Sequence, residues 1–142
     1  MSNYHWVCFG CCEAVRRPGS AENVRCPSCG KPCDNIGYKI PVPPKSKPQL
    51  WRELAESYAQ ARRDYFARKS AANVRRLHDL EHEIERIRDM EPNDGRRSLM
   101  KKLQSELSSV QRQHEELLAA GSFYLQGLLP PIAKHGSRPS EA

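Results

Sequence analysis

Two pairs of cysteines with the same internal spacing constrain this chain more than any other feature. Cys8 and Cys11 form one Cys-x-x-Cys pair, Cys26 and Cys29 form a second, and 14 residues separate the two pairs. Two such pairs can supply four thiolates to one tetrahedral zinc ion, at zinc–sulfur distances of about 2.3 Å. The spacing therefore predicts one structural Zn²⁺, with these four cysteines as its ligands.

The residues around both pairs favour the tight turns that such a site needs. Gly10 and Gly30 suit tight turns because glycine tolerates conformations that other residues avoid, and Pro27 fixes φ directly after Cys26. The Cys-x-x-Cys…Cys-Pro-x-Cys-Gly pattern resembles the small rubredoxin-like zinc ribbons, functionally uncharacterised proteins of bacteria and their phages. The resemblance implies a small all-β zinc ribbon over residues 1–40, and it implies no particular activity.

The same pattern argues against catalysis. A catalytic zinc has three protein ligands and an open position for water, whereas four thiolates fill a structural site. The sequence also contains no metalloprotease or deaminase zinc motif, no phosphate-binding glycine loop and no nucleophile elbow. We therefore expect that the protein is not an enzyme.

Two further cysteines, Cys12 and Cys33, lie outside the pairs. Either could replace a ligand only at a wider and less suitable spacing. We interpret both as spare, partly shielded thiols; the alternative is a pair of reactive thiols, activated by the zinc or by basic neighbours. In the reducing cytoplasm, where we expect the protein to lie, six cysteines favour metal binding over disulfides.

Composition changes twice along the chain. The proline-rich segment at 41–48 predicts an extended linker containing lysines. Residues 49–127 are rich in helix-forming residues, and 92–95 combine helix breakers with turn formers, which predicts two helices joined by a turn. Residues 128–142 contain adjacent prolines and a small polar end, which predicts a flexible tail.

Apolar residues on both sides of this turn recur at alternating spacings of three and four. They are Leu77, Leu80, Ile84 and Ile87 before the turn, and Met100, Leu103, Leu107, Val110, His114 and Leu117 after it. Seams of this kind face a partner helix, so the short turn predicts an antiparallel α-helical coiled-coil hairpin. Folding about the turn pairs Ile87 with Met100 and places Asn73 opposite His114 as a polar layer. A homodimer would satisfy both seams equally well.

A second stripe upstream is one residue out of phase with the first. Its members are Trp51, Leu54, Tyr58, Ala61 and Tyr65. Either one long helix carries a shifted stripe, or the helix restarts with Ser70 as its N-cap, which would give three helices. Trp51 and Tyr58 would pack on the cysteine region, on Phe123 and Tyr124, or on a second chain.

Positive charge is concentrated at the cysteine-bearing end. The net charge is +6, and residues 1–48 hold seven Lys or Arg against three Asp or Glu. The candidate contacts to nucleic acid or another partner are Arg16, Arg17, Arg25, Lys31, Lys39, Lys45 and Lys47. Since no run of 18 apolar residues occurs, we expect neither a membrane span nor a membrane partner.

Together these features predict a non-enzymatic zinc-ribbon and coiled-coil interaction protein that binds a protein or nucleoprotein partner. A first alternative follows from the combination of a zinc ribbon with a coiled-coil hairpin, which is similar to the combination found in the DksA/TraR-type regulators. That similarity implies an acidic hairpin tip, here Asp89, Glu91 and Asp94, that contacts RNA polymerase. A second alternative is a phage-encoded inhibitor or adaptor of a host protein.

Overall fold

A small antiparallel sheet followed by two helices makes up the protein in a computed structural model that describes residues 3–132. The elements are β1 (Asn3–Cys8), β2 (Glu13–Pro18), β3 (Asp34–Gly37), α1 (Pro48–Arg88) and α2 (Asp94–Leu125). The strand order is β2-β1-β3. This confirms the predicted β region followed by helices. Residues 1–2 of that region and residues 133–142 of the predicted tail lie outside the described residues.

Two compact units divide the described chain. One comprises the residues up to Gln60 together with those from Leu129 onward, and the other comprises Ala61–Leu128. Helix α1 is a single helix of 41 residues. Of the two alternatives for the upstream stripe, the long helix is therefore correct, and Ser70 is not an N-cap.

The first unit is held by a hydrophobic cluster between one face of the sheet and the first turns of α1. Its buried members are Val7, Phe9, Cys12, Ile36, Trp51, Leu54 and Ala55, with Val42, Tyr58 and Ile132 packed against them. The Phe9 ring meets Trp51 edge-on at 6.3 Å between centroids and meets Tyr58 at 5.7 Å. Trp51 and Tyr58 thus pack on the cysteine region, the first of the three predicted alternatives.

The indole of Trp51 also fixes the proline-rich segment. Its Nε1–H donates a hydrogen bond of 3.1 Å to the carbonyl oxygen of Pro44, and the side chain is 1% exposed. At the other end of the chain, Ile132 packs against the same cluster, although it belongs to the segment predicted as a flexible tail. Segments distant in sequence therefore share one core.

The second unit is an antiparallel helix pair. Asn73 Nδ2 lies 3.4 Å from His114 Nδ1, which confirms the predicted polar layer. Phe66 lies seven residues before Asn73 on α1, and it packs against Gly121, which lies seven residues after His114 on α2. Both contacts follow one register, and it is the register predicted from the two apolar seams.

The buried stripe of α1 differs from the prediction upstream of residue 70. Phe66 is 4% exposed, whereas the neighbouring Tyr65 is 38% exposed and Ala61 is also exposed. The assignment of Ala61 and Tyr65 to the buried stripe was wrong. Steps of four, three and four back from Leu77 lead to Phe66. The buried stripe of α1 therefore continues the downstream seam without a phase break.

The turn between the helices lies at residues 89–93 and starts three residues earlier than predicted. Asn93 is the N-cap of α2, and its Oδ1 accepts the backbone N–H of Arg96 at 2.8 Å. The Arg96 guanidinium donates to the carbonyl oxygens of Ile87 (3.0 Å) and Arg88 (2.8 Å). One arginine therefore donates to two carbonyl groups at the end of α1, of which that of Ile87 also accepts the N–H of Met90 at 3.0 Å.

Neither helix offers an apolar stretch that could cross a lipid bilayer within the described residues.

Candidate metal centre

The first cysteine pair lies at the end of the β1–β2 hairpin. Antiparallel pairing places Cys8 opposite Glu13, so that residues 9–12 form the connection. Cys12 has φ 54°, in the left-handed region that few residues other than glycine adopt. Its side chain is buried in the hydrophobic cluster, while the neighbouring Cys11 lies in the group of four sulfurs described below. Two adjacent cysteines thus occupy two different environments.

The second pair is held by a tight loop closed by backbone hydrogen bonds. The N–H of Cys26 donates to the Lys31 carbonyl, and the N–H of Gly30 donates to the Cys26 carbonyl, both at 2.9 Å. Gly30 has φ +74°, which a residue with a Cβ would adopt only with strain. The N–H of Ser28 points at the Cys26 sulfur at 3.4 Å. The loop therefore presents a backbone N–H to sulfur, and it forms the tight turn that the sequence predicted.

The four sulfurs of the two pairs converge. The Sγ atoms of Cys8, Cys11, Cys26 and Cys29 all lie within 4.8 Å of one another, and those of Cys8 and Cys29 are 3.7 Å apart. A tetrahedral site with zinc–sulfur bonds of about 2.3 Å has sulfur–sulfur edges of about 3.8 Å. A disulfide would need a separation of about 2.05 Å. The group therefore fits a metal site, and the prediction that these cysteines lie together is confirmed.

Electrostatics distribute charge unevenly over the four thiols. Burial raises the pKa of Cys8 strongly and raises the pKa of Cys11 to about 11. The backbone N–H of Lys31 lowers the pKa of the exposed Cys29 to about 7. A divalent cation bound by these sulfurs would favour their thiolate forms and displace their protons.

Glu13 connects three segments around this group. Its carboxylate accepts a hydrogen bond of 3.3 Å from the Ser28 hydroxyl, in the second cysteine loop, and pairs with the ammonium of Lys45 in the proline-rich segment. The Lys45 hydrogen bond lowers the pKa of the Glu13 carboxyl. This contact could not be predicted from the sequence, because it depends on the spatial approach of residues 15 and 32 positions away.

The predicted basic contacts are spread over the first unit. All seven have exposed side chains: Arg16, Arg17, Arg25, Lys31, Lys39, Lys45 and Lys47. Arg25 donates to the Gly30 carbonyl at 3.0 Å and so braces the second cysteine loop. Lys39 lies 5.8 Å from the centroid of the Tyr38 ring. Arg17 lies directly opposite Tyr4 in the β1–β2 pairing. Two of the seven cations are therefore placed beside aromatic rings.

The two candidate reactive thiols, Cys12 and Cys33, are not members of the group of four sulfurs. Burial raises the pKa of both. The thiol of Cys12 faces the carbonyl oxygen of Phe9 at 3.9 Å inside the core. Since thiolates are the reactive form, this environment lowers the reactivity of Cys12 at neutral pH.

The candidate tip residues Asp89, Glu91 and Asp94 are all exposed at the turn between the helices. The Asp94 carboxylate pairs with Arg97 at 3.3 Å, with 98% of the Asp94 side chain exposed. The Arg96 guanidinium is directed at backbone carbonyls of α1, a role that the sequence did not indicate.

Comparison of the chain with known protein families, curated proteins and solved structures finds no match. The four-sulfur group is thus the strongest structural indication of what the protein does.

Proposed function

We propose that Cys8, Cys11, Cys26 and Cys29 bind one structural Zn²⁺ and that the β region is a zinc ribbon. The observation that carries this proposal is the convergence of four Sγ atoms within 4.8 Å. Zinc would supply a four-way cross-link with a binding free energy of about 10–16 kcal/mol, in a region whose small sheet buries little surface. Four thiolates leave no coordination position for water, so this site supports no zinc catalysis.

Metal analysis of the purified full chain tests this assignment. We expect one zinc per chain, and cobalt substitution should give the visible absorption of tetrahedral thiolate coordination. Cys26→Ser should lose the metal, whereas Cys12→Ala should keep it, because Cys12 lies in the hydrophobic cluster and not among the ligands. A wild-type chain without zinc, or equal zinc loss in both variants, would contradict the proposal.

We further propose that the protein acts by binding a protein or nucleoprotein partner. Of the seven Lys and Arg residues in 1–48, six form no ion pair with any described residue, and only Lys45 does so. Exposed cations without a carboxylate partner remain available to a negatively charged surface. This charge distribution supports a binding role for the ribbon.

Affinity capture followed by direct binding tests this role. A partner captured by the tagged chain should bind the purified, zinc-loaded protein. The charge reversal Arg16→Glu/Arg17→Glu should weaken that binding without changing zinc content. Cys26→Ser, which should lose the zinc, serves as a second variant. If every captured protein binds both variants as tightly as it binds the wild-type chain, the ribbon is not the binding element.

A transcription regulator that acts through the hairpin tip is the second candidate. It is favoured by the exposed carboxylates of Asp89 and Glu91, which form no ion pair within residues 3–132. Co-purification with RNA polymerase tests it. The triple variant Asp89→Ala/Glu91→Ala/Asp94→Ala should abolish the association and Arg16→Ala/Arg17→Ala should not. The reverse pattern would exclude the tip.

A further inference from the structure

The face of the sheet opposite the hydrophobic cluster carries three aromatic rings. Successive residues of a strand point to opposite faces, so Tyr4 and Trp6 lie on the face opposite Val7, which is fully buried in the cluster. The ring of Tyr38 lies 5.4 Å from that of Tyr4, tilted by 47°. We call this surface, comprising Tyr4, Trp6, Tyr38, Arg17 and Lys39, the outer face.

The rings of the outer face are held in position and remain accessible. Tyr4 packs over Gly19, where a Cβ would lie 2.6 Å from its ring, so the glycine allows this close approach. Tyr38 is 54% exposed, and Tyr4 and Trp6 are partly buried. The core of the first unit is formed by other aromatic residues, Phe9 and Trp51. The outer rings are therefore not needed for that core.

Two cations flank the rings. Arg17 is the cross-strand neighbour of Tyr4, and Lys39 lies 5.8 Å from the centroid of the Tyr38 ring. Neither forms an ion pair within the described residues, and one Nη of Arg17 donates only to the Arg16 carbonyl. The nearest carboxylate along the β1–β2 ladder, that of Glu13, pairs with Lys45. The outer face is therefore aromatic and positively charged.

We propose that the outer face binds single-stranded nucleic acid. Unpaired bases stack on exposed rings irrespective of sequence, and Arg and Lys beside the rings contact the phosphates. A base-paired duplex offers phosphates but no free base faces, so the ring array selects an unpaired strand. The proposal rests on the proposed function in treating the zinc-held ribbon as a binding module.

The outer face does not distinguish ribose from deoxyribose. Asn35, the cross-strand neighbour of Trp6, has the side-chain amide on this face, and its Oδ1 accepts the N–H of Gly37 at 2.8 Å. The Trp6 Nε1–H is buried and makes no hydrogen bond with the described residues. The stacking and phosphate contacts of this face come from ring planes and cations, and these contact features shared by RNA and DNA.

Fluorescence anisotropy with the full, zinc-loaded chain tests the proposal. The probes are labelled oligo(dT) and oligo(U) of equal length and a duplex of the same length. We expect both single strands to bind within a few-fold of each other and more tightly than the duplex. Tyr38→Ala should weaken binding about tenfold through lost stacking, and Tyr38→Phe should restore it. Arg17→Ala should lower the slope of log affinity against log salt by about 0.7.

Matched controls lie on the helices. Tyr65→Ala removes a tyrosine that is 38% exposed, and Arg112→Ala removes an exposed arginine, so both should change affinity less than twofold. The proposal fails if no single strand binds at low salt, if the duplex binds more tightly, or if Tyr38→Ala binds as wild type does. A chain that binds zinc and a protein partner but no oligonucleotide overturns this inference alone, whereas a chain without zinc overturns the proposed function first.

Discussion

At the scale of single residues, Gly121 shows how one missing side chain shapes the second unit. A Cβ at this position would lie 2.5 Å from Cγ of Phe66, closer than any stable contact. Glycine inside a helix costs about 1 kcal/mol relative to alanine. Here that cost is offset because the close approach buries the Phe66 ring, which is 4% exposed.

Gly121→Ala should therefore destabilise the protein by about 1 kcal/mol, because overpacking outweighs the gain in helix propensity. Thermal unfolding followed by far-UV circular dichroism measures the change. Ser108→Ala, at an exposed position of the same helix, should be neutral or slightly stabilising. In a Phe66→Ala background, Gly121→Ala should become stabilising; an equal loss in both backgrounds would show that the Phe66 ring is not the cause.

At the scale of the elements, the end of α1 and the start of α2 are joined through polar contacts of Asn93 and Arg96. Arg96 reaches two carbonyl oxygens of the preceding helix, so α2 supplies the C-terminal cap of α1. Hydrogen bonds from a charged donor stabilise more than neutral ones do. The turn is thus fixed by a side chain that lies outside it.

Replacing Arg96 by alanine should lower the free energy of unfolding by about 1–3 kcal/mol, since the carbonyl of Arg88 loses the guanidinium donor and that of Ile87 keeps only the N–H of Met90. Denaturant titration gives this value. Arg97→Ala is the matched control: its pair with Asp94 involves side chains that are 80% and 98% exposed, so it should change stability by less than about 0.5 kcal/mol. Equal effects of the two substitutions would mean that the cap contributes little.

The polar layer of Asn73 and His114 lies within two otherwise largely apolar seams. Such layers fix helix register at a cost in stability. The double variant Asn73→Leu/His114→Leu should raise the melting temperature, whereas Asn73→Leu alone should raise it less, because His114 then lacks its partner. Size-exclusion chromatography should show additional association in the double variant if the layer also prevents alternative pairings. A lower melting temperature in the double variant would contradict this interpretation.

At the scale of the whole molecule, the two units are stabilised by different means. The first combines a four-cysteine group with an aromatic cluster around Trp51, and the second relies on the paired seams of α1 and α2. Removal of zinc should consequently affect the units unequally.

Chelation of the full chain should unfold the sheet while most of the helical circular dichroism persists. Trp51 reports on the first unit, because it is 1% exposed there. In a Trp6→Phe background it is the single tryptophan, and its emission should shift to longer wavelength on chelation and return when zinc is added. Simultaneous loss of helicity and tryptophan burial in one transition would show that the units do not unfold separately.

The convergence of the four cysteines and the helix register could be predicted because both depend on spacing along the chain. Metal-ligand pairs and seam residues recur at intervals that the sequence displays directly. The roles of Glu13, Cys12 and Arg96 could not be predicted in this way. The Glu13 contact needs three segments to meet, the burial of Cys12 follows from a left-handed backbone, and Arg96 acts through carbonyl groups that belong to the previous helix.

The single register of the helix pair restricts how this protein can vary during evolution. Phe66 with Gly121, and Asn73 with His114, lie at matched distances from the turn. An insertion or deletion in one helix between the turn and the Asn73–His114 pair would separate both pairs unless the other helix changed by the same length. Distant relatives should therefore differ by compensating length changes in the two helices, in steps of about seven residues that keep each seam on its own face.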